Sequence, residues 1–154
     1  MKLSKRSVAG AMMAGIVLAG VTTTSASADI VKCTKNTVAS TWEADCTRYT
    51  DDGDAGGVSG TVWLNKRSDP EEFAWVSFSA DGELVSTTNQ SDLTFWVELQ
   101  WYDSAGRTHR DFFRKLEPGD EAEANLSIPE GRKVQIGIQT LTGGKGARTN
   151  RLVA

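Results

Sequence analysis

Turn-forming clusters recur every eight to twelve residues along most of this chain, and the runs between them alternate apolar with polar side chains. Alternation places successive side chains on opposite sides of an extended backbone, so each run suits a half-buried strand. Such runs lie at 58–65, 73–79, 83–87, 93–102, 107–116, 121–128, 133–141 and 149–153. The breaks have specific turn chemistry. Asp81-Gly82 is a strong hairpin signal, because glycine accepts the left-handed backbone that a tight turn needs. Glu117-Pro118-Gly119-Asp120 carries proline and glycine at the two central positions of a type II turn. Asp103-Ser104-Ala105-Gly106 separates two long runs that suit a hairpin, and Lys66 to Pro70, Pro129-Glu130-Gly131 and Gly143 to Gly146 punctuate the rest. About eight short strands with this spacing predict an all-β chain, an antiparallel β-sandwich of immunoglobulin-like or jelly-roll-like kind.

Parity assigns faces. Val134, Ile136 and Ile138 form an inward set against Gln135, Gly137 and Gln139. In the run 93–102, Phe95, Val97, Leu99 and Trp101 share one face, and Trp96, Glu98, Gln100 and Tyr102 share the other. Five tryptophans, Trp42, Trp63, Trp75, Trp96 and Trp101, are more than one small core uses. Trp101 and one of Trp63 and Trp75 are therefore expected inside. Trp96 and Tyr102 beside Glu98 and Gln100 are expected to face outward as a binding surface, flat apolar area with hydrogen bonds at its edge. The alternative is a strand buried on both faces, with Trp96 in a second packing layer.

The first 28 residues read as an export signal cleaved after Ala28. Lys2, Lys5 and Arg6 precede an uncharged run from Val8 to Val21, and Ala26-Ser27-Ala28 is a small-x-small cleavage pattern. The apolar run is 14 residues long, against the ~20 of a membrane-spanning helix. Removing this segment takes away three of the 17 basic residues and none of the 20 acidic ones, leaving a mature chain with net charge −6. Such a chain has no general attraction for nucleic acid or for anionic membrane. Cys33 and Cys46 both remain. An even cysteine count in an exported chain reads as a disulfide, with about 2–3 kcal/mol of stabilisation from so short a loop. The pair pins a hairpin in which 38–50 returns on 30–34. Asp51-Asp52-Gly53-Asp54-Ala55-Gly56-Gly57 then forms a hydrated linker. The expected organisation is a signal at 1–28, a disulfide-bonded arm and linker at 29–57 and a β-sandwich at 58–154.

Catalytic side-chain sets are scarce. His109, the single histidine, lies between Thr108 and Arg110 in a solvated strand, with no nucleophile beside it. Glu98 is the best candidate for an acid of glycoside hydrolysis, but no partner carboxylate follows from spacing. Asp51, Asp52 and Asp54 lack the spacing of a calcium loop and read as the linker's hydrated charges. Two cysteines and one distant histidine make no metal set. The sequence therefore points to no catalytic residue, no metal and no cofactor.

The export segment, the cysteine-light mature part and the Thr/Gly/Ala-rich style resemble small exported proteins of filamentous Gram-positive bacteria. The layout of short arm, linker and small sandwich resembles an adaptor subunit of secreted antibacterial particles of the umbrella-toxin type. That resemblance rests on layout, covers no diagnostic residue and implies assembly with other secreted proteins. Three classes result: a non-enzymatic binding or assembly module acting on a secreted or cell-surface protein through the aromatic face or a sheet edge, a carbohydrate-binding module, and a small hydrolase using Glu98.

Overall fold

The computed structural model describes residues 29–33, 35–36, 41–50, 54–141 and 146–154. The expected export signal at 1–28 and the acidic residues Asp51 and Asp52 lie outside them. Every element among the described residues is a strand: β1 (Asp29–Val31), β2 (Lys35–Asn36), β3 (Trp42–Thr50), β4 (Val58–Lys66), β5 (Asp69–Ser79), β6 (Leu84–Asn89), β7 (Phe95–Tyr102), β8 (Thr108–Leu116), β9 (Glu121–Asn125), β10 (Lys133–Thr140) and β11 (Gly146–Val153). All pairings are antiparallel. They form one hydrogen-bonded sheet in the order β8-β7-β10-β11-β4-β5-β6-β9, with β3 also on β4, β1 on β3 and β2 on β11.

The turns follow their chemistry. The amide of Asp120 donates to the carbonyl of Glu117 at 3.0 Å, and Gly119 takes φ 84°, as a type II turn requires. Gly82 takes φ 77° between β5 and β6, so Asp81-Gly82 makes the expected reversal. The turn after β4 is tighter than expected, since Asp69 and Pro70 already belong to β5, at the strand's start where proline's missing N–H does least harm.

β4 is where the sheet turns on itself. Along one edge it pairs with β3 from Thr50↔Val58 to Trp42↔Lys66. Along the other it meets β11 through Val58↔Val153 and then β5 from Gly60↔Phe78 onward. Gly60 is required at this crossing, because a Cβ there would come within 2.5 Å of the Thr47 carbonyl and 2.7 Å of Leu152. Past the crossing, β10 approaches β4 and β5 while β6 approaches β7 and β8. Val62, Leu64, Val76, Phe78 and Val85 from one group meet Phe95, Val97, Leu99, Ile136 and Ile138 from the other, all essentially free of solvent. Each such side chain contributes about 1.5–3 kcal/mol by leaving water.

The arm expected over 29–57 belongs to this same sheet as the 58–154 body, since β3 runs beside β4 for its whole length. The hairpin itself is as expected. β1 returns on β3 through Val31↔Cys46, and Cys33 is bonded to Cys46 across a Cα separation of 5.2 Å. Cys46 is fully buried among the core side chains.

Candidate functional site

Parity along β7 holds: Phe95, Val97 and Leu99 point into the core, and Trp96, Glu98, Gln100 and Tyr102 share the outward face. The register adds neighbours from three other strands. Phe113, Glu98, Gly137 and Arg148 lie in one row across β8, β7, β10 and β11. Arg110, Gln100 and Gln135 make the next row. Arg110 reaches this face because of a β-bulge. Leu99 pairs with Phe112 and Gln100 with Arg110, so Asp111 is an extra residue that resets the alternation of β8.

The lower layer of this face is electrostatic. Glu98 is only 5 % exposed, although its strand faces outward there. Arg148 donates to its Oε1, Gln100 donates to its Oε2 at 2.9 Å, and Arg110 stands 3.4 Å from Oε2. Gly137 leaves the gap through which Arg148 passes, since a Cβ would sit 2.8 Å from the Arg148 Cγ. Both carboxylate oxygens are thus taken from inside the protein, and Glu98 acts as a pin that ties β7 to β11 and β8. The upper layer is aromatic. Trp96 stacks on Phe113 at 4.7 Å with planes 4° apart, and the Arg110 guanidinium lies 5.0 Å from the Phe113 centroid. Phe113 is 47 % exposed, so the stack is open to a partner. Tyr102 donates to Gln135 at 3.5 Å at the end of the same face.

The bulge also moves His109. It faces the same side as Trp101, stacks on that ring at 4.1 Å and approaches Asp103 through Nε2 at 3.2 Å. The expected free surface histidine is therefore half-covered and engaged. Trp101, expected inside, lies half-buried at the core margin and donates to Asp111 at 2.6 Å. Asp103 organises the β7–β8 turn. A hydrogen bond from the Arg107 amide, then others from His109, the Arg107 side chain and the Ala105 amide, hold its carboxyl well below the usual range against the opposing effect of burial. Its folded pKa lies below its unfolded one. The stability it contributes is therefore fully present above the ordinary value of about 4 and is lost only as pH falls through the lower folded value. A carbon-detected titration of the Asp103 carboxyl is expected to show its midpoint below the ordinary aspartate value of about 4; an ordinary midpoint would contradict this network.

A second aromatic group corrects the expectation that one of Trp63 and Trp75 lies inside: neither belongs to the core. Trp63 and Trp75 pair across β4 and β5, and both turn away from the core, where Val62, Leu64, Ala74 and Val76 point. Their rings are 6.1 Å apart and 13° from parallel, and Phe73 continues the stack on Trp63 at 5.1 Å. Trp63 interrupts an otherwise polar side of β4, and its bulk hides its direction. The surrounding polar residues Thr61, Asn65 and Ser77 on the tryptophan side are the usable signal. Among the described residues, no group of three or more His, Cys, Asp or Glu side chains is arranged to hold a metal ion. The chain matches no protein-family model, no curated protein and no solved structure.

Proposed function

We propose that this chain is a secreted, non-enzymatic β-sandwich module that assembles with another extracellular protein through the outer face of β7 and β8. The observation that carries this reading is the Trp96–Phe113–Arg110 stack, an open aromatic and cationic surface seated on the pinned Glu98. Tryptophan and arginine with an aromatic neighbour are the residue types that dominate interface energetics. A rigid base lowers the ordering cost of binding. The disulfide is consistent with an oxidising compartment, and the export-like N-terminus names the route. The sandwich reading rests on the crossing at β4 and on the approach of β10 to β4 and β5.

The test is the Trp96→Ala/Phe113→Ala double variant, compared with the unaltered protein for capture of its partner from culture fluid. Capture is expected to weaken at least about a hundredfold, as loss of two central contacts does, while unfolding free energy falls by only about 1–2 kcal/mol. A large stability loss with unchanged capture would sink the reading. Carbohydrate binding is the second reading, and the Phe73–Trp63–Trp75 stack favours it. Retention on insoluble polysaccharide that is lost in Trp75→Ala and kept in the Trp96/Phe113 variant would put this reading first.

A further inference from the structure

We infer that the cleft between the β7–β8 and β9–β10 turns is a binding site for a small organic oxyanion, held by the guanidinium of Arg132. The register pairs Lys133 with Tyr102, which brings the ends of β7 and β10 side by side. Their two turns therefore rise together and flank an open cleft of about 450 Å³, lined by Tyr102 and the 103–106 turn on one side and by 131–133 on the other. Gly106 and Gly131 adopt φ 76° and 72°, and a Cβ at either would meet only open space. The backbone around Arg132 is clamped. The Gly131 amide donates to a main-chain oxygen of Ala154 at 2.6 Å, and the Ala154 amide donates to the Arg132 carbonyl at 3.0 Å.

The charges in this cleft are unequal. Asp103 is the one acidic side chain among the lining residues, and that carboxylate is already engaged. Arg107 Nε donates to it at 2.7 Å, the amides of Ala105 and Arg107 each donate at 2.9 Å, and His109 stands at 3.2 Å. Arg132 has nothing comparable: its Nε is buried with no hydrogen-bond partner, and no carboxylate among the described residues lies within ion-pair distance of it. An arginine cannot shed its charge, and Arg132 lines the cleft with no carboxylate in ion-pair distance, so an anionic acceptor entering the cleft would answer that charge. The planar fork suits a carboxylate or a phosphate, and Lys133 at the exposed rim adds a second positive charge. The volume lies within the roughly 300–1,000 Å³ of small-molecule sites. It therefore admits an organic body against the Tyr102 ring beyond the oxyanion itself.

The test is an NMR titration of the purified protein with benzoate and, separately, with phenyl phosphate, against sodium chloride at matched ionic strength. Saturable shifts are expected at the Arg132 Nε–Hε signal and at the amides of 103–106 and 131–133, with contacts from the probe ring to Tyr102. The tighter probe identifies the oxyanion. Arg132→Gln is expected to weaken binding about tenfold or more. Lys133→Gln, at an exposed position that leaves folding intact, is expected to weaken it roughly two- to fivefold. Shifts that do not saturate with either probe, or probe affinities unchanged in both variants, would overturn the assignment.

Discussion

Replacing Cys46 by serine is expected to lower the unfolding free energy by about 3 kcal/mol and the melting temperature by roughly 10 °C. The disulfide closes a loop spanning a sequence separation of 13, for which chain entropy alone gives nearly that amount. Burial adds to it, because a serine hydroxyl would lie where Cys46 has no solvent exposure at all. The strand itself should survive. β3 is hydrogen-bonded to β4 from end to end, so far-ultraviolet dichroism is expected to change little below the transition. Reducing the unaltered protein should reproduce most of the loss, which separates the bond from the substitution. A cost below about 1 kcal/mol would mean that the β3–β4 pairing holds this edge unaided.

Glu98→Ala is the second large effect, at about 2–3 kcal/mol measured by denaturant unfolding. The value lies between those for exposed and buried ion pairs because Glu98 is almost fully covered, whereas its partners keep side-chain exposures of 27 % for Arg148 and 52 % for Arg110. Removing the carboxylate leaves the Arg148 guanidinium lying over Gly137 with no acceptor. The Glu98→Ala and Arg148→Ala changes should therefore couple, and the double variant should cost about 1–2 kcal/mol less than the sum of the two. Strict additivity would show that the two side chains do not interact in solution.

Strands and turns were the legible part. Alternation and turn chemistry located nearly every strand from β4 to β11, because a period of two is a local property of the sequence. The facing of Trp96 and Glu98 was equally local. Their partners were not. Arg148 lies fifty residues from Glu98, and only the β7–β10–β11 register brings them together. The bulge at Asp111 left no mark in the sequence, yet it turned Arg110 toward Phe113 and His109 toward Trp101. Trp63 interrupts an otherwise polar side of β4 between Thr61 and Asn65, and Trp75 shares its side of β5 with Phe73, so their bulk suggested core although the parity of Val62, Leu64, Ala74 and Val76 points the other way. The segment 29–50 read as an arm because the glycine-rich stretch after it marks a break in composition. Composition does not report that β3 pairs with β4 across that break.

The central claim is that the outer face of β7 and β8 exists to hold another extracellular protein. Its most direct test is the mass, by light scattering after gentle size separation, of the native protein recovered from the culture fluid of the organism that makes it. A defined complex with a second protein at fixed stoichiometry is expected, and it should fall apart in the Trp96→Ala/Phe113→Ala variant. A protein recovered alone, as a monomer of its own mass, would contradict it.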